Sequence, residues 1–394
     1  MKQLFFICAA ILFVFFIWSC SAIKSQSTER TVAVDFSLPR PTGNFAVGRQ
    51  LTFLSNNTSS NSENPREIAA WIYYPAEASK KTSEEQILPE KWAERYRISF
   101  EKRLGKSAAD ALLSLKTAAK TDAEPESSKN SFPVLIFAPG ANWLPTDYSA
   151  IIEDLASHGY VVIAFASSPL SPVIQFSGGK IVDSPRVSEE TYGIVSGDFR
   201  FIANRIERLN QDSSLKIKNR LDLKNIGAFG HSIGGAAAVS AATNNPKIIA
   251  AANLDGDYSG ETINAQPGQS ILYISTEPPD IAGAPIEKWD EERNEIRRKG
   301  IWEKISQKSK AAFRVRTAKM FHSNFQDAAM LPPVSIPENL RANRYGTIEG
   351  ERGVRLINEL VRAFFDSQLR AKPIDDFIKI EKKYSEIRIE NKTK

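Results

Sequence analysis

The sequence predicts an α/β fold, a mostly parallel central sheet with helices on both faces, and three observations carry that expectation. Short runs of aromatic, aliphatic and β-branched residues recur without polar alternation: Phe132 to Ala138 (FPVLIFA), Tyr160 to Ala166 (YVVIAFA) and Ile248 to Leu254 (IIAAANL). Strands apolar at every position are buried on both faces, as strands of a parallel sheet are. Stretches of helical spacing separate these runs, and strand–helix alternation is the pattern that builds such a sheet. No self-similarity at a fixed period is visible, which excludes a solenoid.

The chain has 394 residues, 42% of them apolar, enough for a large core. Its first part reads as an address. Lys2, an almost unbroken apolar stretch from Leu4 to Trp18 and the small residues Ser19, Cys20, Ser21 and Ala22 make residues 1–24 a secretory signal peptide. Cys20 stands where a bacterial lipoprotein carries its lipidated cysteine, and Ile17, Ser19 and Cys20 resemble that lipobox. Export is therefore expected, with membrane attachment through lipidated Cys20; ordinary cleavage near Ala22 would instead give a periplasmic or secreted protein. Both cysteines, Cys8 and Cys20, lie in this segment, so the mature domain forms no internal disulfide.

Residues 25–40 read as a polar linker and 41–370 as the folded domain. Arg66 to Tyr74 (REIAAWIYY), ended by Pro75, is a strand. The Ala-, Leu-, Lys- and Glu-rich stretch at about 84–120 is a helical insertion before the strand at Phe132. Helices around Tyr148 to Ser157 and Asp198 to Gln211 lead into strands at Tyr160 and Ile226. A helix from Gly234 to Thr243, strands at Ile248 to Leu254 and Ile271 to Ser275, a charged helix around Ile286 to Lys308, a strand at Ala311 to Thr317 and an amphipathic helix from Arg352 to Leu369 complete the order. Residues 371–394 read as a charged tail. Net charge is +5, but the 51 basic and 46 acidic residues are interspersed, which excludes a nucleic-acid footprint.

The sharpest chemical signal is Gly230-His231-Ser232-Ile233-Gly234, a G-x-S-x-G between an apolar run and a small-residue helix. In that context it is the nucleophile elbow of an α/β-hydrolase fold: a strained strand-to-helix turn thrusts the serine out at the carboxyl end of the sheet, and Gly230 and Gly234 allow the close approach of strand and helix. A serine hydroxyl needs a base within hydrogen-bond reach. The chain has three histidines. His231 lies in the elbow and points away from its neighbour's side chain, and His158 precedes a strand at the opposite end of the sheet. His322, in the loop after the last core strand, is the expected base. The orienting carboxylate is open on pattern alone among Asp255, after IIAAANL, and Glu277 and Asp280, after the next strand. Oxyanion donors are expected from the backbone N–H of Ile233 and Ala141, and Trp143, Leu144 and Phe176 are candidate apolar walls. Asp255-Gly256-Asp257 lacks the later glutamate of a calcium loop. Neither cofactor nor metal is implied.

These residues resemble the plasma-type platelet-activating factor acetylhydrolases and their bacterial relatives, within the lipase and dienelactone-hydrolase-like group. The resemblance rests on Thr42-Gly43 with Val47-Gly48, Trp71 to Pro75 (WIYYP), Leu155 to Val162 (LASHGYVV), Leu221 to Gly235 (LDLKNIGAFGHSIGG), Asn253 to Gly256 (NLDG) and His322 to Asp327 (HSNFQD). It implies Ser232 as nucleophile, Asp255 as acid and His322 as base, with oxyanion donors at Ile233 and Ala141. The family usually has a histidine where this chain has Pro139. It further implies a metal-free serine esterase acting on phospholipids with short or oxidised acyl chains, or on short-chain esters. The competing readings are a lipid-anchored binding protein that keeps the fold without the chemistry, and a hydrolase of peptides, thioesters or polyesters.

Overall fold

The computed structural model describes residues 36–56, 66–78, 85–276 and 288–393. The segment expected to be a signal peptide, with Cys20, and the candidate acids Glu277 and Asp280 lie outside them.

The chain enters through an antiparallel pair, β1 (Ala46–Asn56) and β2 (Arg66–Ala76). The helical insertion follows: α1 (Glu90–Leu104) and α2 (Lys106–Leu113), closed at its base by the two-residue strands β3 (Glu85–Gln86) and β4 (Lys116–Thr117). A short β5 (Lys120–Thr121) borders β1. Then come β6 (Phe132–Ala138), α3 (Ser149–Ser157), β7 (Val161–Ala166), and a small hairpin of β8 (Val173–Gln175) and β9 (Ile181–Asp183). The second half runs α4 (Glu190–Gln211), β10 (Leu221–His231), α5 (Ile233–Asn244), β11 (Ile248–Leu254), β12 (Ser270–Thr276), α6 (Lys288–Lys308), β13 (Ala311–Thr317), α7 (Glu338–Arg344), α8 (Gly350–Arg370) and β14 (Ile387–Thr393).

Ten strands form one sheet in the order β14-β13-β12-β11-β10-β6-β7-β2-β1-β5. From β7 to β13 every neighbouring pair is parallel, and β2 and β14 are added antiparallel at the two flanks. The predicted mostly parallel sheet is thus the observed one. After β6 the chain first builds β7 on one side and then crosses to build β10 on the other, so strand order reverses between β6 and β10. The crevice at the carboxyl ends of strands flanking such a reversal is where open α/β sheets bind ligands.

Helices cover both faces. Leu135 and Phe137 of β6 join one core with α3, α8 and the insertion, whereas Val134 and Ile136 join the other with α4 and α5. The insertion is seated by aromatic contacts: the Trp92 ring lies 4.7 Å from that of Trp71, and Phe100 meets Trp143 edge-on at 5.6 Å.

Two expectations need correction. The stretch read as a charged tail is not outside the fold over its described residues, 371–393: Asp375–Ile378 and Ile380–Lys383 are helical turns, and Ile387–Thr393 pairs with β13 along its whole length. Charge at alternate positions of an edge strand faces solvent, while Phe377 and Ile387 are buried against the sheet. The presumed linker also contributes to the core at its end, where Phe36 and Leu38 pack.

The first turns of α3 are staked by buried carboxyls. Glu153 accepts from Thr117 Oγ1 and from the Ala118 amide at 3.1 Å, and Asp147, in the turn before α3, from Tyr96 Oη at 2.5 Å, which ties the insertion to α3 and its leading turn. Burial raises both groups, Asp147 to about 6 and Glu153 to about 7, against the pull of those hydrogen bonds. A raised carboxyl binds its proton more tightly folded than unfolded, so its stabilising contribution is full below the unfolded pKa near 4.5 and is lost as pH rises through about 7. His231 and His158, whose pKa values burial lowers, act in the opposite sense below about 6.5. Comparison with Glu153→Gln isolates the carboxyl: between pH 4.5 and 8, wild type should lose on the order of 3 kcal/mol relative to the variant in urea unfolding. A difference that does not change with pH would refute the raised pKa.

Candidate active site

β10 and α5 meet at Ser232. The serine has φ 55° and ψ −126°, a left-handed conformation that a residue with a Cβ rarely adopts. Such strain costs roughly 1–3 kcal/mol and persists only where neighbours enforce it. Here the Ser232 amide donates to Leu254 O at 2.9 Å, and its carbonyl accepts from the amides of Gly235 and Ala236. A Cβ on Gly230 would overlap the backbone of Gly234, and one on Gly234 would overlap the carbonyl oxygens of Ala138 and Pro139. The two glycines therefore let β6, β10 and α5 converge at one point. Ala236, Ala237, Ala238, Ala241 and Ala242 are all fully buried, so α5 is slim enough to fit there.

Ser232 Oγ lies 3.0 Å from His322 Nε2, and His322 Nδ1 lies 2.7 Å from Asp255 Oδ2. The His322 side chain is 51% exposed, so the serine end of this chain of hydrogen bonds opens to solvent, while the Asp255 side chain is 1% exposed. Asp255, itself at φ 54°, sits at the end of β11 and reaches across to β12. Its Oδ1 accepts from the Thr276 amide and its Oδ2 from Thr276 Oγ1, each at 2.8 Å. Arg298 of α6 donates to Thr276 O at 3.1 Å and to Asp257 at 3.3 Å, with its guanidinium 4.0 Å from Asp255 Oδ1. Burial disfavours the Asp255 carboxylate, but the His322 hydrogen bond and then the Arg298 charge outweigh it and hold the carboxyl below the ordinary range. Ionised and acceptor-only, it fixes the His322 proton on Nδ1 and leaves the Nε2 lone pair facing the serine.

The loop that carries His322 is tied down by the rest of HSNFQD. Asn324 Oδ1 accepts from the amides of Phe321 and Gly346, both at 2.7 Å. The Asp327 carboxyl group accepts from the amides of Ser149 at 2.7 Å and Ala150 at 3.2 Å, capping α3. The first amides of a helix lack partners within it and pull towards the charged form, but burial, with Asp147 and Glu153 nearby, outweighs them and holds the Asp327 carboxyl well above the usual carboxylate range.

The turn Pro139-Gly140-Ala141-Asn142 lies beside the elbow: a Cβ built on Gly140 would stand 3.3 Å from Ser232 Cβ. Neither the Ala141 nor the Ile233 amide donates to an acceptor among the described residues. Leu144 is fully buried and Trp143 nearly so, packed under Arg103 at 4.1 Å from the ring; both are core of the insertion contact more than walls of a pocket. His158 lies at the carboxyl end of α3, before β7, bonded to Thr42 Oγ1 at 2.8 Å and far along the sheet from Ser232. No cluster of potential metal ligands occurs among the described residues.

Reading the sequence did not single out Thr276, Arg298, Tyr148 or Asn324 as parts of this constellation, and it set His231 aside. Thr276 and Arg298 meet Asp255 only through strand order, and a charged helix such as α6 gives no hint of which arginine turns inward. His231 is fully buried, with Nδ1 2.8 Å from Tyr148 Oη and Nε2 2.8 Å from His322 O.

Comparison with known proteins is consistent with this geometry. The family described as platelet-activating factor acetylhydrolase, isoform II, matches residues 31–174, which include the Pro139-Gly140-Ala141-Asn142 turn but precede the elbow. A probable 1-alkyl-2-acetylglycerophosphocholine esterase of Arthroderma benhamiae is 26% identical over 258 residues, covering 62% of this chain and 65% of the relative. A platelet-activating factor acetylhydrolase of Cavia porcellus is 23% identical over 286 residues, 65% of this chain and 62% of the relative. The chain thus spans just under two thirds of the length of each. A solved ferulic acid esterase from Streptomyces cinnamoneus superposes with a TM-score of 0.65 at 23% identity, covering 86% of this chain and 94% of that one, which shows a shared fold. With its reversed strand order and its elbow between β10 and α5, the chain has the α/β-hydrolase fold and is similar to the platelet-activating factor acetylhydrolases.

Proposed function

We propose that the chain is a carboxylic-ester hydrolase with Ser232 as nucleophile, His322 as base and Asp255 as the orienting acid. The observation that carries this reading is the line of hydrogen bonds from a strained, accessible serine through His322 to a buried, ionised aspartate. Ser232 Oγ attacks the ester carbonyl carbon and its proton passes to His322 Nε2, while the carbonyl electrons move onto oxygen. The N–H groups of Ile233 and Ala141 receive that oxyanion. The tetrahedral intermediate collapses by expelling the alcohol, which takes the proton from His322, and leaves an acyl-Ser232 ester. Water then repeats the sequence and releases the acid.

The named activities of the relatives favour short acyl esters, the sn-2 acetyl ester of an alkyl glycerophosphocholine among them. The test is labelling of the full chain with a fluorophosphonate probe, followed by turnover of p-nitrophenyl acetate, butyrate and octanoate and of 1-alkyl-2-acetylglycerophosphocholine. Label mapped to Ser232, with rates falling from acetate to octanoate, is the expected result. Folded protein that takes no label and turns over none of these esters would refute the reading and leave a binding protein on a hydrolase fold. Faster cleavage of a thioester or peptide would move the substrate class and keep the chemistry.

A further inference from the structure

We propose that His231 is a positioning residue, a buried link that holds the oxyanion turn and the base loop in register across the elbow. The inference rests on the serine-hydrolase reading above and concerns a buried residue whose ring nitrogens bond Tyr148 and the His322 backbone rather than Ser232 Oγ.

The hydrogen-bond directions are determined by the partners. His322 O is a carbonyl and only accepts, so the facing His231 Nε2 carries the proton at 2.8 Å. A neutral imidazole with its proton on Nε2 has a bare Nδ1, so Tyr148 Oη, 2.8 Å away, donates to it. The tyrosine oxygen then accepts from the Gly140 amide at 3.1 Å. One unbroken run therefore leads from Gly140, which precedes the oxyanion donor Ala141, through Tyr148 and His231 to the backbone of His322. Every member is buried except the last. The imidazole is also clamped between rings, stacked on Phe325 at 5.2 Å and 30° and lying 4.5 Å from the His322 ring.

The arrangement matters because the elbow, the oxyanion turn and the base loop come from three separate strand ends. Ser232 is positioned by its own backbone, but His322 and Ala141 sit on loops, and catalysis requires the three groups in mutual alignment within a fraction of an ångström. His231 lies one residue before the nucleophile on the rigid end of β10, so its ring measures both loops from the same reference point. Burial, and then the neighbouring His322, hold its pKa well below the usual histidine range, so it stays neutral. That neutrality keeps the tautomer single and avoids a second positive charge beside His322 when the latter takes the serine proton.

The test uses full-length wild type, His231→Ala, His231→Gln, Tyr148→Phe and the His231→Ala/Tyr148→Phe double variant. Each is titrated with the fluorophosphonate probe, so that turnover of p-nitrophenyl acetate is expressed per labelled site and misfolded protein drops out. His231→Ala should lower kcat per labelled site about 10- to 100-fold with KM changed by less than about 2-fold, because alignment rather than binding is lost. Tyr148→Phe should lower it in the same way, and the double variant should be little worse than the worse single one, since both cuts break one chain. His231→Gln, whose amide N–H can still reach His322 O, should recover part of the loss. A reduced labelled fraction with kcat per labelled site within about 2-fold of wild type would show a folding role only and overturn the proposal, as would losses that simply multiply in the double variant. If His231→Ala does not accumulate, His231→Gln and Tyr148→Phe decide by the same reading. Wild type that fails to label is a different failure, that of the serine-hydrolase reading itself.

Discussion

Ser232→Ala will lower kcat on p-nitrophenyl butyrate by about a millionfold and abolish fluorophosphonate labelling, while leaving thermal unfolding within about 0.5 kcal/mol of wild type. The size follows from the acyl-enzyme route. Without Oγ there is no atom to form the ester intermediate, and the remaining groups act only on a water that no backbone turn positions. The small stability change follows from what Oγ touches, a single hydrogen bond to a half-exposed His322. The φ of 55° is as costly for alanine as for serine, so it cancels in the comparison. Ser232→Gly should differ, since glycine adopts that conformation freely: it should be equally inactive but more stable than Ser232→Ala by about 1 kcal/mol. His322→Ala should match Ser232→Ala in kcat, and the double variant should be no slower than either, because nucleophile and base act as one unit. Any background above the uncatalysed rate in the double variant would then report the oxyanion amides of Ile233 and Ala141, which no side-chain substitution removes. Turnover by Ser232→Ala within about 100-fold of wild type would rule out Ser232 as nucleophile.

What could be read in advance divides along a physical line. Strand–helix alternation and the elbow are local: apolar runs, small residues and two glycines at fixed spacing specify a turn whatever lies elsewhere, and β6, β7, β10 and α5 follow from them. β14 escaped because Arg388, Glu390 and Lys392 make a charged run, and only the alternation with Ile387 and Ile389 betrays an edge strand. A count of charge hides a period of two. The separation of His322 from the other histidines was legible for a different reason, since position relative to strand ends sorts the three without any knowledge of distance.

The surroundings of Asp255 were not legible. Thr276 faces it because β11 and β12 are parallel neighbours in register, Leu254 opposite Ile274, which no property of either residue announces. Arg298 enters from α6, whose 21 residues are charged nearly all round. Tyr148 and His231 are linked across 83 positions, and each alone looks like ordinary core. A site assembled from loops at strand ends is encoded by the strand order. The motif marks only the strand that happens to carry the nucleophile.

Asp255→Asn should lower kcat by on the order of 10⁴-fold with the fold intact, and the reason lies in the direction of one backbone amide. Thr276 N–H can only donate, and it points at Oδ1 of residue 255 at 2.8 Å. The asparagine must therefore place its carbonyl oxygen there, which turns its NH2 towards His322 Nδ1. Two donors cannot face each other, so Nδ1 must become the acceptor and the imidazole proton moves to Nε2, where it blocks acceptance of the serine proton. Ser232, His322 and the oxyanion amides stay in place, yet the base is in the wrong tautomer. Thr276→Val is the control: it removes only the Oγ1 hydrogen bond to Oδ2, leaves the directing amide, and should cost about 10-fold or less. The pair is measured as kcat on p-nitrophenyl acetate and as the rate of fluorophosphonate labelling, with unfolding midpoints alongside. Asp255→Asn within about 10-fold of wild type would mean that another carboxylate orients His322, and Glu277→Gln and Asp280→Asn would then identify it. Loss in Asp255→Asn with both of those variants active would assign the role to Asp255, the carboxylate whose surroundings leave it no choice but to hold the proton on Nδ1.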